Sequence, residues 1–272
     1  MEKNYSVLMS VYNKEKPDNL NLSVASVLNQ TIPPEQFVIV CDGFLGDELN
    51  NVLARFTEQY PELFWIEQLQ ENKGLGVALN IGLKLCHNDI VARMDSDDIC
   101  MPDRMERQLE AMERENVDIV SGTVIEFVGN KDNVVAKRVL PETKEEIRRF
   151  ARRRNPFNHP AVMYKKHCVK DAGGYKDFHL FEDYYLWIRM LLLGYEGYNI
   201  KEPVLYMRAG DDMYKRRGGL HYAYQVVQFR YFMLKKGYSS IFDFMITAVG
   251  HMLIAIVPNE IRKKFYEKVL RE

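Results

Sequence analysis

The chain is poor in cysteine, with four in 272 residues, at Cys41, Cys86, Cys100 and Cys168. They lie 45, 14 and 68 residues apart and form no CxxC, so a disulfide framework and a zinc knuckle both fail on spacing. Long hydrophobic runs are lacking too. The longest, Met245–Val257, has 13 residues and contains Gly250 and His251, short of the about 20 that span a bilayer. Glu2, Lys3 and Asn4 lead straight into a strand-like run, so no secretory leader is expected. Net charge is nearly absent: 37 Lys and Arg face 38 Asp and Glu, and nothing global suggests nucleic acid. There is no internal repeat and no GxxxxGK[ST], which excludes a P-loop NTPase. Together these absences lead to the expectation of a cytoplasmic, largely soluble protein.

What is present is ordinary globular usage: 47% hydrophobic, 28% charged and 12% aromatic residues. A chain of this length buries a sizeable core, as one large domain with a smaller appendage. Charge is unevenly spread. Residues 201–272 hold 13 basic and 7 acidic side chains, whereas the first 200 hold 24 and 31. An acidic body therefore carries a basic tail.

Short apolar runs at Tyr5–Val11, Phe37–Cys41, Phe64–Glu67, Ile90–Met94 and Ile119–Ser121 read as strands. Amphipathic stretches at Leu20–Leu28, Asp47–Tyr60, Leu75–Leu85 and Asp103–Glu115 separate them. This alternation predicts βαβ crossovers: an α/β fold with a mainly parallel, Rossmann-like sheet flanked by helices. After Gly122 a hairpin is expected over Thr123–Val139, a basic helix over Lys144–Arg154 and a strand at Ala161–Tyr164. A helix at Phe181–Leu193, a last strand at Pro203–Met207 and a helical tail from Leu220 follow.

Ligands of parallel sheets collect at the carboxyl ends of strands, and the polar residues there are informative. Ile90–Met94 runs into Asp95-Ser96-Asp97-Asp98. Three carboxylates in four residues repel unless a cation sits among them, and a hard divalent ion such as Mg²⁺ takes carboxylate oxygens together with substrate phosphate oxygens. The alternative is a solvated acidic turn with Asp103 capping the next helix. Asp42 ends VIVCDG and can accept from a nucleotide N–H or hydroxyl, or simply shape a turn before Gly43. Asn72-Lys73-Gly74-Leu75-Gly76 opens a helix. It is a poor dinucleotide fingerprint, but its glycines and Lys73 suit a phosphate or a helix cap. Glu182 and Asp183 start a helix, favoured there by its dipole or serving as a general base. His159, in NPFNHP, is either a packed turn residue or a participant in the chemistry.

In order, SVYN at 10–13, VIVCDG, NKGLGVALNIGL at 72–83, RMDSDDICMPDR at 93–104, NHPAVMY at 158–164 and FEDYYLWIR at 181–189 resemble a family 2 glycosyltransferase of the GT-A fold. The likeness covers residues 1–210, and its tail is similar to that of bacterial enzymes building capsule, O-antigen or exopolysaccharide. It implies a nucleotide-sugar-binding half over 1–122, an acceptor-binding half over 123–210 and a helical extension over 211–272. It further implies inverting transfer of one hexose or N-acetylhexosamine from a UDP-sugar to a lipid-linked oligosaccharide, with Mn²⁺ or Mg²⁺. The DxD carboxylates match Asp95 and Asp97, with Asp97 toward the metal. Asp42, with backbone near Val11, Tyr12 and Asn13, matches the uracil site. Lys73, Arg93, Ser96, Arg208 and Arg216 fall in donor-side motifs, Asp183 matches the base with Glu182 beside it, and His159 and Trp187 fall on the acceptor side. The chain has no QxxRW motif, which speaks for one sugar per encounter.

In the tail, Ile261, Phe265, Val269 and Leu270 share one helical face and Arg262, Lys263, Lys264, Lys268 and Arg271 the other. Such a helix suits an anionic membrane surface, here the cytoplasmic face of the inner membrane beside an undecaprenyl-diphosphate-linked acceptor. Docking on the core and burial against a second copy are the alternatives. Two other functions compete. A catalytically inactive nucleotide-sugar-binding protein is disfavoured by intact Asp97 and Asp183. A sugar nucleotidyltransferase is disfavoured because SVYNKEKPDN after the first strand lacks glycine.

Overall fold

The computed structural model describes residues 4–178, 181–210 and 220–256. Four strands lead the fold: β1 (Ser6–Val11), β2 (Gln36–Cys41), β3 (Phe64–Gln68) and β4 (Ile90–Asp95). They alternate with α1 (Pro17–Leu28), α2 (Asp47–Gln59) and α3 (Leu75–Leu85), as the hydrophobic alternation predicts. β1 pairs in parallel with both β2 and β4, placing Val11 beside Cys41 and Ser10 beside Asp95. β2 and β3 are laid on one side of β1, and the chain then crosses to put β4 on the other. That reversal is the switch point at which open α/β sheets bind ligands.

The rest of the chain is β5 (Ile99–Cys100), α4 (Arg104–Arg114), β6 (Ile119–Phe127), β7 (Val134–Arg138), α5 (Lys144–Phe150), a 3₁₀ turn at His159–Ala161, β8 (Met163–Lys165), α6 (Lys166–Asp171), α7 (Glu182–Leu192) and β9 (Gly197–Arg208). The sheet order is β3-β2-β1-β4-β8-β6-β9-β5, with β7 paired to β6. β8 runs antiparallel to β4 and β6, while β9 is parallel to β6. β9 is longer than the Pro203–Met207 run because the sheet admits the proline at a register shift opposite Thr123. Proline cannot donate to the ladder, so an irregularity is where it fits. β5, α6 and the 3₁₀ turn, each of six residues or fewer, are the elements that periodicity does not reveal.

Alternate side chains of the central strands feed two cores. Val7, Met9 and Val11 pack with Val24, Leu53 and Met105 on one face, whereas Leu8, Val38 and Val40 meet Leu79, Leu83 and Trp187 on the other. α3 lies close to the sheet at Gly82, where a β-carbon would collide with Leu8 and Val40. A third cluster joins α7 to α8 (Leu220–Lys235): Phe229 meets Tyr184 at 4.7 Å and Phe181 at 5.2 Å. α9 (Ile241–Ile256) follows, its start fixed by Ser240 bonded to Asp243 and by the Arg153–Asp243 ion pair at 2.5 Å. No helix among the described residues is long and apolar enough to cross a membrane.

Candidate active site

The carboxyl ends of β1, β2 and β4 bring the acidic residues together, and α7 closes the arrangement. Asp95 is the last residue of β4. Its Oδ1 lies 2.6 Å from Arg93 Nη2 and its Oδ2 lies 3.2 Å from His159 Nε2. The other ring nitrogen, Nδ1, is 3.1 Å from Asp183 Oδ2. Asn155 Nδ2 donates to the same Asp183 oxygen at 2.8 Å. One imidazole thus joins the acidic strand end to the first turn of α7.

Electrostatics follow from these partners. Burial would raise the pKa of Asp95, but Arg93 and His159 outweigh it and hold the carboxyl well below its ordinary range. Burial likewise opposes Asp183, whose hydrogen bond from His159 keeps it low and ionised. For His159, burial and Arg93 disfavour the charged ring, and the bonds to Asp183 and Asp95 reverse this and raise its pKa. Both neighbours are carboxylates that only accept, so the doubly protonated ring is the form that satisfies both.

Asp97 has the opposite fate. Burial, then Asp95, then Glu15 push its carboxyl up to about 7. Asp98 is held well above the ordinary value by burial and by Asp97. Its Oδ1 accepts from the Arg208 backbone N–H at 2.8 Å, and its buried Oδ2 has no partner among the described residues. Two adjacent carboxyls held against their charged forms are what a divalent cation would relieve. No group of three or more ligating side chains occurs among the described residues; a cation at this loop would need substrate phosphate oxygens besides one or two carboxylates.

Other residues singled out from the sequence are placed as follows. Asp42 is buried; its Oδ1 accepts from Lys73 N at 2.7 Å and its Oδ2 from Gly74 N at 3.0 Å. Gly74 has φ +87°, which lets the loop turn its amides onto that carboxylate. Asp42 therefore shapes the loop as well as standing at the strand end, while the Lys73 side chain is exposed. Val11 is buried and its carbonyl accepts from Asp42 N, whereas Tyr12 and Asn13 are exposed. Ser96 Oγ donates to Glu15 Oε2 at 2.6 Å, tying the acidic loop to the β1–α1 loop. Arg208 donates to the Asp97 and Gly129 carbonyls and lies over Phe127, so it secures the acidic loop. Glu182, partly buried, stands beside Asp183 at the start of α7. Arg216 lies outside the described residues.

Three expectations need correction. Trp187 is fully buried, its ring 5.9 Å from Phe157 and 6.1 Å from Tyr164. It lies one turn beyond Asp183, deep in the core, so it packs the helix rather than meeting an acceptor sugar. Arg93 is also buried and serves as the counter-ion beneath Asp95 rather than as a donor contact. Asp103, offered in the alternative reading as a cap, occupies the N-cap position of α4, but its side chain makes no capping hydrogen bond and pairs with Arg107 at 2.6 Å. Arg104 in the same motif is fully buried and donates to the Arg93 carbonyl at 2.8 Å, while Gln108 reaches Ala161 O at 2.7 Å. Those bonds fix the end of β4 relative to the His159 turn.

Residues that sequence reasoning missed include Asn155 and Glu15. Asn155 lies in the quoted NPFNHP segment, four positions before His159. That spacing was the available signal.

A family model described as Glycosyl transferase family 2 matches residues 6–169. The chain belongs to glycosyl transferase family 2. The amylovoran biosynthesis glycosyltransferase AmsE of Erwinia amylovora is 37% identical over 97% of this chain and 98% of its own. A UDP-Gal:alpha-D-GlcNAc-diphosphoundecaprenol beta-1,3-galactosyltransferase of Escherichia coli is 36% identical over 98% and 96%. Among solved structures, S. aureus TarS 1–349 in complex with UDP-GlcNAc matches with TM-score 0.63 and 15% identity, over 97% of this chain and 79% of that one. Mannosyltransferase PcManGT from Pyrobaculum calidifontis, in complex with GDP-Man and Mn²⁺, matches with TM-score 0.62 and 15% identity, over 96% and 78%. These likenesses show the shared GT-A fold.

Proposed function

We propose that this glycosyltransferase moves a single hexose or N-acetylhexosamine from a UDP-sugar to a hydroxyl of an undecaprenyl-diphosphate-linked oligosaccharide, with inversion, in bacterial surface polysaccharide synthesis. The observation that carries the reading is the line Arg93–Asp95–His159–Asp183. It sets an ionised carboxylate on α7 opposite the acidic loop at the switch point. The relative from Escherichia coli, similar over nearly its whole length, is named for a UDP-sugar donor and a lipid-linked acceptor.

On this reading the uridine lies at the ends of β1 and β2, near Asp42 and the Val11–Asn13 backbone. Asp97, with Asp95 behind it, would hold Mn²⁺ or Mg²⁺, which when bound offsets charge on the diphosphate. Asp183 takes the proton of the acceptor hydroxyl as its oxygen attacks the anomeric carbon from the face opposite the diphosphate. Ionised Asp183 is ready to accept at neutral pH, and Glu182 beside it is suited to another acceptor hydroxyl.

The C-terminal helices supply the membrane side of the proposal. Ile241, Phe242, Met245, Ile246 and Val249 are exposed along α9, Phe242 at 75%. They recur at helical spacing on one face, ahead of the basic stretch from Arg262 to Arg271, which lies outside the described residues. This face would rest on the cytoplasmic surface of the inner membrane, close to the lipid-linked acceptor. Sedimentation with phosphatidylglycerol vesicles tests it: a chain cut after Tyr238 should stay in the supernatant. Equal sedimentation of both forms refutes the contact, and a concentration-dependent dimer without vesicle binding assigns the face to a second copy.

Calorimetric titration with UDP, using GDP as control, with and without Mn²⁺, tests the donor half. Wild type should bind UDP with metal dependence and Asp97→Ala should lose it. Absence of binding to either nucleotide overturns the assignment.

A further inference from the structure

Two side-chain donors meet the same oxygen of Asp183, in addition to a backbone hydrogen bond from Tyr184. Asn155 Nδ2 at 2.8 Å and His159 Nδ1 at 3.1 Å both meet Oδ2, and Oδ1 takes neither bond. Both donors come from one short segment, 155–159, and that segment is unusually well fixed. Phe157 and Asn158 are fully buried. Asn158 Nδ2 donates to Gly122 O at 3.0 Å and Arg138 O at 3.2 Å, and its backbone N–H meets Ser121 Oγ at 3.2 Å. Phe157 packs edge-on against Trp187 of α7. Pro156 and Pro160 restrict the chain on either side of Phe157 and His159. The same segment thus locks onto the helix that carries Asp183 and onto the sheet, and aims two N–H groups at one atom.

We propose that Asn155 and His159 are positioning residues for Asp183, holding its Oδ2 so that Oδ1 is presented to the acceptor hydroxyl. A carboxylate rotating freely about its χ2 bond would offer either oxygen in many directions. Two converging donors remove that freedom before the acceptor arrives, and misplacement of a reacting group by about 1 Å can cost about a hundredfold in rate. His159 Nε2 on Asp95 braces the ring from behind, so the imidazole also sets the spacing between the base and the donor-side carboxylate.

The inference rests on Asp183 being the base, and the experiment separates the two. Steady-state kinetics would be run on Asp183→Asn, Asn155→Ala, His159→Ala, His159→Asn, His159→Gln and Asp183→Asn/His159→Ala, with calorimetric UDP affinity and melting temperature for each. Asp183→Asn should lose turnover by about a hundredfold or more; if it does not, the base assignment fails whatever the others do. Given that loss, His159→Ala should lower kcat by about tenfold or more with acceptor KM unchanged. In the Asp183→Asn background it should add less than about twofold, as expected of groups acting as a unit.

The two amide variants discriminate between the ring's two bonds. An asparagine amide falls near the position of Nδ1, and a glutamine amide near that of Nε2. His159→Asn should therefore recover much of kcat and His159→Gln little. Recovery by glutamine alone would assign the residue to Asp95 and overturn the proposal. A raised acceptor KM with unchanged kcat would make His159 an acceptor contact and also overturn it. Asn155→Ala provides the second route should the histidine variants fold poorly: unchanged kcat there refutes the shared grip on Oδ2.

Discussion

Asp97→Asn should make the metal-free protein more stable while disabling it. Burial and the charges of Asp95 and Glu15 move the Asp97 carboxyl from its ordinary 3.8 to about 7. That displacement corresponds to about 4 kcal/mol against the ionised form. Its neighbours Asp95 and Asp98 readjust when it is replaced, so about 2–4 kcal/mol is the expected gain in unfolding free energy. The sign depends on pH. Below about pH 4 the carboxyl is protonated in both folded and unfolded chains and costs nothing. Between pH 4 and 7 the unfolded chain ionises first, so stability falls as pH rises and levels off above 7. Asparagine removes that slope. Thermal melts in EDTA should show the variant equal to wild type near pH 4 and higher by about 5–10 °C at pH 8. Adding Mn²⁺ with UDP should reverse the ranking, because ligand that binds only the folded wild type stabilises it by mass action. A variant that melts no higher than wild type at pH 8, or by the same margin at both pH values, refutes the account of the loop's charge.

Trp187→Ala should cost about 3–5 kcal/mol by chemical denaturation, since the ring fills the core between Phe157, Tyr164 and Tyr175. Asp42→Ala leaves the Lys73 and Gly74 amides without their acceptor; a loss of about 1–3 kcal/mol is expected, with faster hydrogen exchange confined to residues 72–76 at early times. Gly82→Ala drives a methyl into Leu8 and Val40 and should lower stability by about 1–3 kcal/mol, read from urea midpoints at unchanged m-value.

The first half of the fold was legible because each element carries its own period. β2 is buried on both faces and reads as one apolar run, QFVIVC, and α3 starts and ends where its apolar pattern does. The second half was less so. β9 pairs with β6 between residues 78 to 81 positions apart, and its ladder tolerates Pro203 only through a register shift. Nothing local in KEPVLYMR announces that tolerance. Trp187 shows the same limit in the site: it stands one helical turn from Asp183 and shares its face, and only depth separates a core ring from a rim ring.

The acidic loop sharpens the point. In Asp95-Ser96-Asp97-Asp98 the sequence offers three equivalent carboxyls, and the fold makes them unlike. Asp95 ends a strand over buried Arg93 and beside His159, so it is held ionised. Asp97, two residues on, faces Asp95 and Glu15 and is pushed toward neutrality, and Asp98 is turned inward onto the Arg208 amide. How the three carboxyls differ, and which of them would suit a cation on the proposed reading, is therefore decided by partners drawn from residues 15, 93, 159 and 208, none of them visible from the spacing of the motif. Only Asp97 combines partial exposure with an unfavourable charge that a cation would remove. On the proposed reading, the stability that the metal-free protein forgoes at Asp97 is recovered when metal and nucleotide bind.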